Sequence, residues 1–493
     1  MSRGCVAAGH PVTAEAGAWA LREGGNAVDA AVAAVLTSFA TESPLTGLGA
    51  GGYMLVHAPD RTEPVLLDFF VEVPGCDVEE RSSALVPIPV WFTDEQPQIF
   101  HIGAASCGVP GTPAGLEAAV ERFGSMPLAE LVKPGVRAAF DGVEMNARQA
   151  FFFEILAPIL THTAEGKALY APEGDLLGVG DTFRWPELAE ALDRFAGDGA
   201  EPFYRGEVAD RIASWVLERG GTLGRADLAA YEPDLREPVR ASFRGREVLT
   251  NPPPSSGGVL IALSLALCDR VREVGTVEVV ESMIAAQDAR TEEFLDGLYE
   301  PGFSDRFLAD RLGSTTHITA VDREGRCASV TCSNGTGSGL IVPETGVHVN
   351  NMLGEEDLNP FGFHRHDTGR RMPSMMSPTM ILRDGELEAG LGSGGSNRIR
   401  SAILQAVIGL VDRGLGVQEA VDAPRVHFEA GVVHAEPGID EAGLAELERR
   451  GLEIARWPDR NVFFGGVHGV GRDPGGVLEG GGDPRRGGAV AYA

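Results

Sequence analysis

The stretch THITAVDREGRCASVTCS, residues 316–333, constrains the fold most, because it holds two strand-like runs with almost no chain between them. A parallel pair needs a crossover of a dozen residues or more, so these two runs must pair antiparallel. If Arg323 and Glu324 are a two-residue turn, Asp322 pairs with Gly325 and Thr315 falls opposite Cys332, with Thr331 and Ser333 flanking it. A second such pair is Tyr53–Ala58 with PVLLDFF, residues 64–70. Before it, residues 11–40 read as two helices, Val12–Glu23 and a second capped by Asn26, along which Val28, Ala31, Val32, Val35 and Phe39 recur at helical spacing. Residues 115–245 read as mostly helical, including Pro186–Phe195 and Glu207–Glu218. The segment EVLTNPPPSSGGVLIALSLAL reads as a short strand, a turn and a buried helix from Val259. From Ser314 the texture turns to short strands, which marks a candidate boundary. Adjacent strands in the middle with helices at both ends suit an α/β (α+β) layered sandwich better than a doubly wound sheet, which would alternate strand and helix throughout.

Composition narrows the partners. The net charge of -30 repels phosphate backbones and anionic lipid, so neither nucleic acid nor a membrane surface is expected. No apolar run in the first residues is long enough for a signal peptide, and no later segment reaches membrane-spanning length, so a cytoplasmic location is expected. Six cysteines lie scattered without a CxxC pair, which reads as buried free thiols.

Several motifs carry less than they suggest. Gly47, Gly49 and Gly52 satisfy GxGxxG, but they follow a helix and precede a strand, the reverse of a dinucleotide fingerprint, and read as a tight turn. His364 and His366 form an HxH without an evident third ligand, so no metal is expected, and no motif calls for a cofactor. ELEAGLGSGGSNRIRSAILQAVIGLVDRG reads as strand, glycine turn and helix, with Ser396 or Asn397 as cap and Ile399, Ile403, Val407 and Leu410 facing the core. There Gly394 and Gly395 would present bare N–H groups near a helix N-terminus, as an oxyanion hole requires; a glycine bulge is the plainer alternative. Residues 359–372 are a candidate lid.

These stretches together resemble one family. STTHITAVD, PETGVHVNNML, RRMPSMMSPTM, GSGGSNR, DAPRVHFE and DPRRGGAVAYA resemble the γ-glutamyltranspeptidase family, as do GGNAVDAAVAA, GLGAGGYM, GVPGTPAG and NPPPSSGGV nearer the start. The resemblance implies a four-layer αββα sandwich of the N-terminal-nucleophile hydrolase type. It also implies self-cleavage between Ser314 and Thr315, giving a large chain of residues 1–314 and a small chain of 315–493 intertwined in one fold. A freed α-amino group on Thr315 would serve as base for its own hydroxyl. By the same resemblance Ser333 stands beside the nucleophile and Gly394 and Gly395 form the oxyanion hole. Asn334, Glu355 and Ser374 fall where the family holds the α-amino and α-carboxylate groups of a glutamyl substrate.

The departures concern the substrate. The family's carboxylate-gripping arginine belongs where this chain has Phe70, after Asp68 and Phe69, and the second of the family's paired serines aligns with Met375. An aromatic ring makes no bidentate bond to a carboxylate. Three readings follow: a γ-glutamyltransferase-like enzyme on a small amide substrate, an acylase of the same fold on an oxamate-like or β-lactam side-chain amide, and a binding protein that kept the fold without the chemistry.

Overall fold

The computed structural model describes residues 3–61, 63–81, 84–91, 97–300, 303 and 317–493. Among them, two antiparallel sheets stack face to face. The first runs in the order Ala489–Tyr492, Gly4–Ala8, Ile318–Asp322, Cys327–Ser333, Gly51–His57, Val65–Phe69, Asp234–Arg236. The second runs Leu478–Gly482, Gly466–Arg472, Glu386–Gly394, Thr379–Arg383, Arg246–Thr250, Val239–Phe243. Strand Ile318–Asp322 lies between Gly4–Ala8 and Cys327–Ser333, so segments from both ends of the chain interleave in one sheet. The change of texture at Ser314 therefore marks no boundary between separate folding units.

The alternation of side chains sorts the core into layers, because successive residues of a strand point to opposite faces. In strand Gly51–His57, Met54 and Val56 pack outward against the first helices, while Tyr53 and Leu55 join the core between the sheets. In the second sheet Ile381 faces outward and Met380 and Leu382 face inward. Helices Pro11–Arg22 and Ala27–Thr41 cover the first sheet, and helices Ser256–Asp269 and Arg398–Val411 cover the second. This is the expected four-layer αββα arrangement.

Helix Ala27–Thr41 is buried along its whole length, which its alanines permit by letting neighbours approach closely. Asn26 starts it with a reciprocal box: its Oδ1 accepts from Val28 N at 2.8 Å, and Asp29 Oδ2 accepts from Asn26 N at 2.8 Å. The glycine-rich segment after this helix is the expected turn into strand Gly51–His57. A side chain at Gly52 would meet the Thr331 carbonyl at 2.3 Å, so the close pairing with strand Cys327–Ser333 admits only glycine there.

Some expectations are corrected. The hairpin loop has three residues, not two: Asp322 N donates to Arg326 O at 3.0 Å, and Ile318 pairs with Val330. Gly325, at φ +86°, takes the left-handed position, and Asp322 Oδ1 accepts from Glu324 N and Arg326 N. That local capping favours the longer loop. The helical region 115–245 ends in two strands, Asp234–Arg236 and Val239–Phe243, one in each sheet. The buried helix begins at Ser256, where the Ser255 hydroxyl accepts from Gly257 N at 3.1 Å, three residues earlier than its apolar run. Five cysteines are buried thiols, but Cys76 is exposed.

Candidate active site

Strand Cys327–Ser333 turns Ser329, Thr331 and Ser333 toward the second sheet, opposite in sense to Ala328, Val330 and Cys332, which belong to the helix-side core. This hydroxyl row meets His317. The imidazole is buried, with Nδ1 at 3.2 Å from Thr331 Oγ1 and Nε2 at 3.2 Å from Ser329 Oγ and 2.5 Å from Thr319 Oγ1. Burial holds its pKa well below the usual histidine range, so the ring is neutral and serves as a hydrogen-bonding post. A side chain at Gly392 on the facing strand would lie 2.4 Å from the ring, which is why that position is glycine. His317 was not singled out in sequence; the inward period of Thr319, Ser329 and Thr331 is the signal that could have found it.

Beyond Ser333 a cavity of about 870 Å³, including its open mouth, lies at the end of the sheets. Ser333, Glu355, Ser374, Phe70 and Gly395 all line it, so residues distant in sequence converge. The Ser333 hydroxyl accepts from Gly335 N at 2.8 Å, a local turn that fixes its direction. Ser374 is buried and its Oγ accepts from Met376 N at 3.0 Å. Glu355 Oε1 accepts from Thr336 N at 3.2 Å. Burial, with the nearby Asp357 adding to it, pushes the Glu355 carboxyl up to about 7.

The wall at the family's arginine position is apolar. Phe70 is fully buried and stacks on Tyr53, ring centroids 5.4 Å apart. Met375, Met376, Phe100 and Phe152 continue the surface. Arg371 lies close behind but is committed: its guanidinium donates to the Phe70 carbonyl at 2.6 Å, the Tyr231 hydroxyl at 2.6 Å and the Glu232 carbonyl at 2.8 Å. Asp68, which would precede the missing arginine, is itself engaged by Arg236 at 2.7 Å.

Gly395 has φ +131°, a conformation that favours glycine, and the next residue, Ser396, is left-handed at φ +56°. Two successive unusual conformations turn the chain from strand Glu386–Gly394 into helix Arg398–Val411. Asn397 occupies the cap position without a side-chain capping bond; its amide donates instead to Glu429 at 2.9 Å and to Asp357. Ile399, Ile403 and Val407 enter the core and Leu410 packs on its edge, as their spacing requires.

Not every candidate converges. Gly394 lines a smaller neighbouring cavity instead of the first. The Asn334 side chain is buried beside Gly47 and is not part of the cavity wall. Residues 359–372 do not line it either, and the His364 and His366 carbonyls are bound by Arg81. Thr315 and Ser314 lie outside the described residues. Among the described residues there is no cluster of three metal-ligating side chains, and no helix is long and apolar enough to cross a membrane.

The fold is that of an N-terminal-nucleophile hydrolase, an αββα sandwich, and its inner strands end at a cavity lined by Ser333 and the turn at Gly395. The model of the γ-glutamyltranspeptidase family matches residues 13–309 and 298–493, and the chain belongs to that family. It is 28% identical to the glutathione hydrolase proenzyme of Escherichia coli (strain K12), over 98% of this chain and 90% of the relative. It is 31% identical to the acylase ACY 1 proenzyme of Pseudomonas sp. (strain SE83), over 97% of this chain and 91% of the relative. Among solved structures it is similar to the cephalosporin acylase from Bacillus halodurans, with TM-score 0.84, 26% identity, and coverage of 99% of this chain and 96% of that one.

Proposed function

We propose that this chain is a proenzyme that cuts itself between Ser314 and Thr315 and then hydrolyses or transfers amides through an ester on Thr315, with an apolar acyl group as its preferred donor. In this reaction Thr315 Oγ attacks the amide carbonyl while its free α-amino group takes the hydroxyl proton. The developing oxyanion is received at the N–H groups of Gly394 and Gly395. Collapse breaks the C–N bond, the proton passes to the leaving amine, and water or a second amine releases the acyl group from the ester. His317 stands two residues after Thr315 in the sequence, and its anchoring at Thr331 supports a reading in which the nucleophile acts near Ser333.

The observation that carries the acyl preference is Phe70, buried on Tyr53, with Arg371 behind it fully engaged. No guanidinium at that position is free to take an α-carboxylate. The acylase names among the relatives agree with this direction. Glu355 and Ser374 on the cavity wall favour a second reading, in which a γ-glutamyl α-amino group is still accepted. The test is intact mass under denaturing conditions for wild type and Thr315→Ala, followed by turnover of matched phenylacetyl and γ-glutamyl anilides. Two wild-type fragments meeting at Ser314 and Thr315, an uncut variant and faster phenylacetyl turnover are expected. A folded wild type that stays as one chain would overturn the nucleophile, and faster γ-glutamyl turnover would overturn the acyl preference.

A further inference from the structure

The turn from Gly394 into helix Arg398–Val411 is strained and needs support from its surroundings. Ser396 is left-handed at φ +56° without being glycine, a conformation that persists only where the structure around it fixes it. On the strand side close packing does so: a Cβ at Gly395 would stand 3.0 Å from Gly465 Cα, and the Ser393 hydroxyl accepts from Gly466 N at 3.1 Å. On the helix side the grip falls to Asn397, which is 7% exposed. An asparagine at a helix start ordinarily turns its side-chain oxygen onto the helix's own N–H groups, but this one makes no capping bond and engages other elements. Glu429 Oε1, at the end of strand Val426–Glu429, accepts from Asn397 Nδ2 at 2.9 Å, and Asp357 Oδ1, in the short turn Glu356–Leu358, accepts from the same nitrogen. Arg290 Nη1 donates to Asn397 Oδ1 at 3.5 Å. Three segments distant in sequence therefore converge on one side chain.

Glu429 is itself fixed, with Arg398 Nη1 at 3.6 Å and His427 Nε2 at 3.5 Å. Burial alone would raise its carboxyl, but His427 and Arg398 outweigh that and hold it well below the usual carboxylate range, so it stays ionised. An ionised acceptor makes the stronger hydrogen bond to the Asn397 amide. Ser396 and Asp357 line the main cavity, whereas Glu429 lines neither cavity, so its only route to a substrate runs through the turn. We propose that Glu429, with Asp357 as a second anchor, is a positioning residue: through Asn397 it fixes Ser396, and with it the direction of the Gly394 and Gly395 N–H groups. Donors stabilise a developing oxyanion only when they are already aimed at it, and that gain arises in the transition state. Loss of the clamp therefore lowers kcat and leaves KM nearly unchanged. The inference rests on the oxyanion role proposed above for the two glycines, and not on the choice of acyl group.

The experiment measures kcat and KM for wild type, Glu429→Ala, Glu429→Gln, Asn397→Ala and the double variant Asn397→Ala with Glu429→Ala. The substrate is whichever anilide, phenylacetyl or γ-glutamyl, the wild type turns over faster. Each single alanine variant is expected to lose about 10- to 100-fold in kcat, short of the loss of a whole oxyanion donor, while KM moves less than about threefold. Glu429→Gln keeps an acceptor oxygen for Asn397 and should recover to within about fivefold of wild type. The double variant should lose no more than about threefold beyond the worse single one, because both substitutions break one contact. Losses that multiply, a rise in KM that accounts for the drop, or no loss would overturn the inference. Should Glu429→Ala fail to fold, Asn397→Ala with an unchanged kcat would overturn it just as well. Thermal midpoints read the clamp without turnover: the double variant should melt no more than about 1 °C below the less stable single one, and additive shifts would overturn the clamp. A wild type that cleaves neither anilide while the midpoints stay non-additive would overturn the reaction proposed above, the positioning role included, and leave only the contact between Asn397 and Glu429.

Discussion

Phe70 is the residue on which the proposed donor preference turns. Its ring occupies a fully buried place against Tyr53, and its carbonyl is bound by Arg371 and by the Tyr231 hydroxyl at 2.8 Å, so the backbone is fixed whatever the side chain. Phe70→Arg should therefore raise kcat/KM on a γ-glutamyl anilide at least tenfold, a gain of about 1.4 kcal/mol in transition-state binding. A folded, processed variant without that gain would show that the missing arginine is not what sets donor choice. Glu355 gives a pH signature. Its folded pKa of about 7 lies above the ordinary carboxyl value of 4.5, so the folded state holds a proton that the unfolded state has released. The resulting stability is complete below about pH 4.5 and lost as pH rises through 7, on the order of 3 kcal/mol. Glu355→Gln keeps an acceptor for Thr336 without that titration. Urea unfolding at pH 5 and pH 8 should show the variant gaining on wild type at the higher pH; a constant difference would refute the assignment.

At the scale of elements, glycine positions decide how closely helices and strands dock. A Cβ at Gly258, in helix Ser256–Asp269, would stand 1.8 Å from the Asn251 carbonyl oxygen and 2.3 Å from its nitrogen, both backbone atoms that cannot swing aside. Gly258→Ala should cost at least about 3 kcal/mol, the upper end for overpacking. Gly197 is the control: it is exposed near the end of helix Pro186–Asp198 with nothing within 4 Å of an added Cβ, so Gly197→Ala should stabilise by about 0.5–1 kcal/mol. Thermal midpoints moving in opposite directions are the expected result. The sequence carries a clear signal for glycine turns and helix periodicity, as at Asn26 and along Ile399–Leu410. It misplaced the start of the helix at Ser256 because the apolar run begins later than the serine cap, and the hairpin loop because Asp322 caps a longer turn.

For the whole molecule, interleaving has a direct consequence. Residues on both sides of position 315 supply neighbouring strands, with Ile318–Asp322 hydrogen-bonded to Gly4–Ala8 on one edge and Cys327–Ser333 on the other. Cleavage there should leave the two pieces inseparable without unfolding. Size exclusion in native buffer should give one species containing both fragments, and separation in that buffer would contradict the topology. The order of motifs along the chain sufficed to bring out the resemblance to the family, and through it the four-layer fold and the nucleophile candidate, because those motifs are local runs of sequence. Which candidates share a cavity was decided only by tertiary packing. Ser333, Glu355, Ser374, Phe70 and Gly395 meet where both sheets end, while Asn334, adjacent to Ser333, turns toward Gly47. The same packing sets the Arg486 guanidinium over the Phe152 ring, between two cavities, since a guanidinium's neighbours depend on which strands and helices surround it, and local sequence does not encode that.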